Sequence, residues 1–433
     1  MASTGSSSSA ATPEAVPAPA DLAVGIVIYN HARTAAAIGR AVRAAVSGLP
    51  ASSAHRILVA DAGSSDGTLE RLRGAVGGAG ELVEVPFTAQ AADVVDLPYH
   101  GLPGRARALR AVLQEAVARG ARTCVVLDPA TAAAGSGVVA ALCRAALDPE
   151  ADFITPRYAR HPFSGALIHG AVYPLFRALY GARIRYPVAG DFVCSARLLE
   201  ATLADPVWET DRGQTGIDLW LATTATAGGF RLGQVPIAPM AREDRDGRDL
   251  GTAIRQILGF LFTDMERRVP AWQRVRGSRA LPPPGEAPLA APDAPDAPDV
   301  NVAQLVDSFR LGWRELQEVW AEVLPPLAIL QWRRLAAAPV EAFRVEDALW
   351  ARTVYDFAMG HRLRVIAREH LLQSLAPLYL AWLASFVTEL RHAPAAAGEE
   401  RLERLCLAFE TEKPYLISLW RWPERFRPAK IRR

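Results

Sequence analysis

Four short apolar runs, at residues 24–28, 57–60, 82–85 and 123–127, alternate with segments of helical spacing, and this alternation leaves the chain few possible folds. The runs read as strands. Between them, residues 34–47 and 105–118 repeat apolar side chains at three- and four-residue intervals, Leu109, Val112, Leu113 and Ala116 among them. Strand, crossover helix and strand in this order are the signature of an α/β sheet, and the pattern runs from residue 21 to about 240. Ligands of such sheets collect at the carboxyl ends of the strands.

Beyond the strands the pattern changes. Residues 251–268 place Ile254, Ile257, Leu258, Leu261, Phe262 and Met265 on one helical face, a spacing that strand periodicity cannot imitate. This helix is expected to close the first domain. Residues 280–300 run Ala-Leu-Pro-Pro-Pro-Gly and then repeat Ala-Pro-Asp, a composition that builds no core and favours extended backbone. The expected division is therefore a disordered tail at 1–20, an α/β domain at 21–279, a linker at 280–300 and an all-α domain at 301–433. The last part is rich in Trp (313, 320, 332, 350, 382 and 420), whose helical spacing favours core packing over a sugar-stacking platform.

Half of the 433 residues are apolar, enough for a sizeable core, and the net charge is only +2. Scattered arginines without a basic stripe argue against nucleic acid as a partner. The first twenty residues lack the basic start and apolar run of a secretory signal. No uninterrupted apolar run approaches the roughly 18 residues of a membrane span. Four cysteines (124, 143, 194 and 406) without paired spacing read as buried thiols in a reducing cytoplasm.

Several segments carry chemistry. The second strand runs into Asp61-Ala62-Gly63-Ser64-Ser65-Asp66-Gly67-Thr68, whose acids, hydroxyls and glycines suit a loop that receives a nucleoside, with Asp61 accepting from a base or ribose hydroxyl. The same residues fit a helix start capped by Ser65 or Asp66, and both readings stay open. Tyr29 ends the first strand. Leu97-Pro98-Tyr99-His100-Gly101-Leu102-Pro103-Gly104-Arg105-Ala106-Arg107-Ala108-Leu109-Arg110 is a Gly/Pro-bounded loop that opens a helix, whose amides and dipole favour a phosphate and where Arg105 and Arg107 would add charge; basic residues there otherwise oppose the dipole. Tyr186-Pro187-Val188-Ala189-Gly190-Asp191-Phe192 offers Asp191 to an acceptor hydroxyl or to a sugar cation. Gly216-Ile217-Asp218-Leu219-Trp220 places Asp218 inside an apolar helix start, as a helix cap or an arginine partner.

Taken in order, these segments resemble bacterial family 2 GT-A glycosyltransferases, the group of glucosylglycerate, mannosylglycerate and glucosyl-3-phosphoglycerate synthases. Further residues carry the likeness: Pro156-Arg157-Tyr158-Ala159-Arg160-His161, Tyr173-Pro174-Leu175-Phe176-Arg177, Gly190-Asp191-Phe192, Asp249-Leu250-Gly251 before Arg255-Gln256, and Phe409-Glu410-Thr411-Glu412-Lys413-Pro414-Tyr415. The resemblance implies a Rossmann-like GT-A domain followed by helices, a nucleotide-diphosphate sugar and a small acid as substrates, and retention at the anomeric carbon. It also implies an Asp-x-Asp metal pair, a Gly-Lys-Gly loop and a late His ligand. Here Asp128 matches the first Asp, but Ala130 replaces the second, Gly104-Arg105-Ala106 stands for Gly-Lys-Gly, and Ala241 stands for the His.

The leading expectation is a hexosyltransferase that uses a nucleotide-diphosphate glucose or mannose and a glycerate- or phosphoglycerate-like acceptor. Tyr29, Asp61, Gly104, Arg105 and Asp128 would hold the nucleotide sugar, Arg157, Tyr158, Arg160 and His161 the acceptor, with Asp191 and Asp218 catalytic. Any divalent cation, Mg²⁺ or Mn²⁺, is expected on Asp128 alone and only weakly, with the arginines of Ala241-Arg242-Glu243-Asp244-Arg245-Asp246-Gly247-Arg248-Asp249 as substitute charge or as a self-paired solvated loop. A homo-oligomer is compatible with these features. A second reading stays open, in which a catalytically impaired relative binds a sugar nucleotide or serves as a scaffold.

Overall fold

A computed structural model of the chain describes residues 21–77, 82–88, 90, 101–237, 250–281 and 298–426. Seven strands, β1 (Leu22–Ile28), β2 (His55–Asp61), β3 (Leu82–Glu84), β4 (Thr123–Leu127), β5 (Phe153–Tyr158), β6 (Phe192–Ser195) and β7 (Leu232–Ile237), form one sheet in the order β3-β2-β1-β4-β6-β5-β7. Every residue of β1 and of β4 is buried, as central strands with helices on both faces require. The fold is α/β, a domain built on one mixed seven-stranded sheet followed by helices.

All four expected strands are present. The third ends one residue early as a strand, although Val85 N–H still donates to Val59 O at 2.8 Å and extends the ladder. β5, β6 and β7 escape the apolar-run criterion for a physical reason. β6 has four residues, and β5 and β7 each contain a proline, Pro156 and Pro236. Pro236 is tolerated because β7 is an edge strand, and Pro156 because β6 pairs with β5 only at Phe153 and Ile154. Among the described strands β6 is the reversed one, antiparallel to β4 and β5, whereas β7 runs parallel to β5.

Residues 250–267 are helical as expected, but the middle turn, Ile254–Leu258, is a π-helix between α-helical Leu250–Ala253 and Gly259–Arg267. The six named apolar residues of this stretch are all buried. Helices Val302–Val323, Pro326–Ala337, Asp347–Leu363, Arg368–Ser374, Ala376–Leu390 and Ala395–Arg421 make up the carboxyl-terminal part. Trp320, Trp332, Trp350 and Trp382 are fully buried there, and Trp313 packs on Trp320 at 5.9 Å, so the aromatic stripe is core. The four cysteines are buried as free thiols, Cys124 and Cys194 opposite each other on β4 and β6. Although no apolar run is uninterrupted, Arg368–Leu390 is long and apolar enough to cross a membrane; 67% of its most apolar window is buried, as in a core helix. The expected tail at 1–20 and most of the expected linker, 282–297, lie outside the described residues.

The helices seat on the sheet domain through polar ties as well as apolar packing. Arg177, fully buried in helix Tyr173–Tyr180, donates twice to Glu403 at 2.5 and 2.7 Å and once to Glu410 at 2.6 Å, both from helix Ala395–Arg421. Together these bonds and charges offset the cost of burying the guanidinium and hold it protonated. Lys413 donates to Ala178 O and Val275 O, and burial pulls its ammonium down to about 8. Trp350 Nε1 donates to Gly170 O at 2.7 Å, and Gly170 lies flat against the Trp382 ring.

A methyl group on Gly170 would sit 2.1 Å from Trp382 Cζ3, inside a fully buried ring stack. Gly170→Ala is expected to lower stability by about 1–3 kcal/mol through overpacking. Gly74→Ala, in helix Thr68–Val76 with open space around the added carbon, is expected to be neutral or stabilising. Denaturant unfolding of the two variants measures this difference in sign.

Candidate functional site

Because β6 runs backwards, its amino end lies at the same edge of the sheet as the carboxyl ends of its neighbours, and Asp191, one residue before β6, joins the residues that follow β1, β2, β4 and β5. The strand order reverses between β1 and β4, which opens the crevice where ligands of α/β sheets bind. Tyr29, Asp61 and Asp128 line the strand ends at this point.

The loops after β1 and β2 are stitched together. Asp61 Oδ1 accepts from Ser64 N–H at 2.9 Å and from Ser64 Oγ at 2.7 Å, while Asn30 N–H donates to Ser64 Oγ at 2.9 Å and Ser65 N–H to Asn30 Oδ1 at 3.0 Å. Asp66 accepts from Ala32 N–H at 3.0 Å and from Thr68 N–H at 3.1 Å, so it both ties the loops and supports the start of helix Thr68–Val76. The hydroxyl of Thr68 is the main cause that holds the exposed Asp66 carboxyl below its usual range. The N-cap is Gly67, at φ 80° and with no side-chain cap bond, so neither Ser65 nor Asp66 caps as expected, and Asp66 braces the helix start from one residue earlier. Asp61 is half-buried, and its Oδ2 has no hydrogen-bond partner among the described residues.

Next to this clasp lies a buried charge cluster. Arg105, 1% exposed, donates from Nε to Asp218 Oδ2 at 2.9 Å and from Nη2 to Asp218 Oδ1 at 2.7 Å and Gly190 O at 3.0 Å. Burial opposes its charge, but Asp218 first, and then Asp128 and Asp191, hold its pKa above the usual value. The expectation that Arg105 projects from a phosphate-binding helix start is therefore corrected. Gly104, at φ 61°, does precede helix Arg105–Ala118, but the guanidinium turns into the protein, with Nη1 buried and without a partner among the described residues. Of the two readings of Asp218 from its own segment, the structure realises the arginine partner; its helix is capped by Thr210, which accepts from Gly213 N–H at 3.1 Å.

Asp128 is corrected as well. It is 1% exposed and accepts from Ala130 N–H at 2.9 Å, the N-cap bond of helix Pro129–Ala134. Its own N–H donates to Asp191 Oδ1 at 2.7 Å, and the other oxygen of Asp191 accepts from the Tyr158 hydroxyl. Among the described residues no group of three or more His, Cys, Asp or Glu side chains could hold a metal ion. Asp128 caps a helix, Asp191 is bonded to Tyr158 and Asp218 to Arg105, so each of these acids already has a protein donor. Ala241 and the Arg-rich segment after β7 lie outside the described residues.

Tyr158 leads to the second half of the site. The Arg160 guanidinium stacks over the rings of Tyr158 and Tyr186, 4.8 and 5.4 Å from their centroids, and no carboxylate pairs with it among the described residues. Tyr186 hydroxyl lies 3.2 Å from His169 Nε2, and His169 Nδ1 is 3.1 Å from Pro162 O. Arg157 Nη2 is 3.3 Å from Glu399 Oε2, and Arg185 reaches the same oxygen. His161 is half-buried, which lowers its pKa, and its Nδ1 accepts from Phe163 N–H at 3.2 Å. Of these, Arg185, His169 and Glu399 do not stand out in the sequence. Arg183-Ile184-Arg185 is the available signal, two arginines flanking a buried apolar residue.

A small crevice beside Asp218 is lined by Val188, Thr215, Gly216, Leu219, Gln256 and Ile257. Two backbone irregularities shape it: Gly216 departs from helical geometry at φ −129°, and Gln256 belongs to the π-helical turn.

No protein-family model matches the chain, and no curated protein matches it. Similar solved structures include glucosyl-3-phosphoglycerate synthase from Mycobacterium tuberculosis in complex with Mn²⁺, uridine diphosphate and glucosyl-3-phosphoglycerate, at 18% identity and a TM-score of 0.41 over 57% of this chain and 80% of that chain. The same synthase in complex with Mn²⁺, UDP-glucose and phosphoglyceric acid is similar at 19% identity and a TM-score of 0.40, over 57% and 79%. A further structure, of a mycobacterial protein, is similar at 18% identity and 0.39, over 57% and 74%.

Two outcomes are expected from this geometry. Asp218→Asn leaves the Arg105 cation without its bidentate partner and is expected to cost about 3–5 kcal/mol in denaturant unfolding. A loss under about 1 kcal/mol would mean that Asp128 and Asp191 suffice to balance the charge. Burial, aided by Arg185, depresses the His169 pKa to about 3, against about 6.5 in an unfolded chain. Below about pH 6.5 the unfolded chain takes up a proton that the folded protein refuses, so stability falls from there towards pH 3. His361, also depressed to about 3 by burial, acts in the same direction. The acid slope of the unfolding free energy is expected to lessen by about one proton in His169→Gln.

Proposed function

We propose that this chain is a glycosyltransferase that moves a hexose, glucose or mannose, from a nucleotide diphosphate to a small anionic acceptor such as glycerate or phosphoglycerate. The observation that carries the reading is Arg160, a stacked guanidinium without a carboxylate partner among the described residues, at the same sheet edge as the crevice flanked by Tyr29 and Asp61. A planar fork of donors held on two aromatic faces suits a carboxylate or phosphate group.

In this reading the free oxygen of Asp61 accepts from a base or ribose hydroxyl, and the Tyr29 ring borders the nucleoside. Arg160, with Arg157 and His161, orients the acid group of the acceptor. Tyr158 and Asp191 lie between the two subsites. The fixed negative charge of Asp191 favours positive charge developing at the anomeric carbon, and its bonds to Asp128 N–H and Tyr158 hold it ready without rearrangement. Arg105 acts from beneath as buried positive charge, with Asp218 as its counter-ion and positioning partner. The leaving diphosphate is balanced by fixed cations, for which Arg242, Arg245 and Arg248 follow β7 in the sequence.

The second reading, a sugar-nucleotide binder without transfer activity, is favoured by one feature, the use of Asp128 as a helix cap beside Ala130. Transfer from UDP- and GDP-linked glucose and mannose to glycerate and 3-phosphoglycerate, in EDTA and in Mg²⁺ or Mn²⁺, separates the two. Transfer is expected to persist in EDTA, and Asp61→Ala is expected to weaken UDP or GDP binding about tenfold, as loss of a charged hydrogen bond implies. Nucleotide binding without transfer under any condition supports the binder. Transfer abolished by EDTA and restored by Mn²⁺ overturns the fixed-cation account.

A further inference from the structure

Glu399 sits in the first turns of helix Ala395–Arg421, and one of its oxygens, Oε2, faces both Arg157 and Arg185. A single carboxylate oxygen between two guanidinium groups is the geometry in which these arginines would hold the acid group of a ligand. The helix is brought this close by Gly398: a Cβ there would lie 2.4 Å from Pro162 Cγ, so the backbone rests on the loop that carries Arg160 and His161. All four charged groups lie near enough to Tyr186 to act on its hydroxyl, and Arg160 stacks on its ring at 5.4 Å. Arg160, Arg185, Glu399 and Arg157 each act on the ionisation of Tyr186, whose burial is the larger influence.

We infer that Glu399 is a resident stand-in for the acceptor, a carboxylate that occupies the anion subsite of Arg157 and Arg185 until the acid group of a small carboxylate or phosphate ligand displaces it. This rests on the reading of the Arg160 cluster as the acceptor site. The two partners differ in what they contribute. Arg185 has 9% of its side chain exposed and is fixed by the ring of Tyr173 at 5.0 Å, so it stays in place. Arg157 and Glu399 are 56% and 60% exposed, and ion pairs that wet are weak and readily exchanged. The carboxylate is therefore held well enough to balance the subsite and loosely enough to leave. When it leaves, three arginines face the ligand instead of three arginines and an acid. The displaced side chain belongs to the helix that carries Glu403 and Glu410, so acceptor binding is felt by the carboxyl-terminal helix.

Calorimetric titration of the full chain with 3-phosphoglycerate, glycerate and inorganic phosphate tests this in the parent, in Glu399→Gln and in Arg160→Ala. Glu399→Gln keeps the shape and removes the competing charge, and it is expected to bind 3-phosphoglycerate about fivefold tighter, close to 1 kcal/mol at 1.4 kcal/mol per tenfold. Its melting temperature is expected to stay near that of the parent, because an exposed pair contributes little. The glycerate and phosphate arms tell which acid group gains. Equal or weaker binding by Glu399→Gln, with the parent binding and Arg160→Ala impaired, overturns the stand-in and leaves the acceptor site intact. Absence of binding to all three anions by parent and Glu399→Gln alike overturns the acceptor reading and this inference with it.

Discussion

The fully buried carboxylate of Asp191 joins two parts of the sheet edge that would otherwise be independent. One oxygen accepts from the backbone of Asp128 at the end of β4, the other from the hydroxyl of Tyr158 at the end of β5. That bridge exists only because β6 is reversed, since a parallel strand would deliver its first residue to the opposite edge. An acid buried this deeply is tolerable when both oxygens are bonded and a cation is near, and Arg105 supplies the cation. The stitched loops of β1 and β2 on one side and the tyrosine-stacked Arg160 on the other are thereby held in one frame.

The charges at this edge are built from the protein's own side chains, and they do not cancel. Three carboxylates, Asp128, Asp191 and Asp218, surround one guanidinium, and each oxygen bond described goes to a protein donor. A divalent cation would have to compete with backbone amides and an arginine fork for those oxygens. Asp128 gives one of these oxygens to the backbone N–H of Ala130, as the cap of the helix that follows β4.

Much of this arrangement is legible in the order of residues alone. The four leading strands and the helix beginning at Arg105 follow from periodicity, since short buried runs and three-to-four spacing are local signals. β5 and β7 are hidden by their prolines, which only the sheet order explains. Site residues divide in the same way. Asp61, Asp128, Asp191 and Arg105 are visible as polar residues at element ends, but the inward turn of Arg105 depends on Asp218, 113 positions away. Arg185 and Glu399 are 214 positions apart and carry no motif, so their meeting is readable only from how the last helix packs.

That packing bears on how the two parts of the chain can be inherited or exchanged. Arg177 belongs to the sheet domain, yet its counter-charges, Glu403 and Glu410, arrive more than two hundred residues later. Cutting the chain in the Pro-rich stretch would separate a fully buried cation from both of its acids, and neither fragment would carry a compensated surface. The two parts are thus not interchangeable modules despite the composition break between them. Recombination that brings in a foreign carboxyl-terminal bundle must bring acids at the positions of Glu403 and Glu410, which ties the last third of the chain to the history of what precedes it.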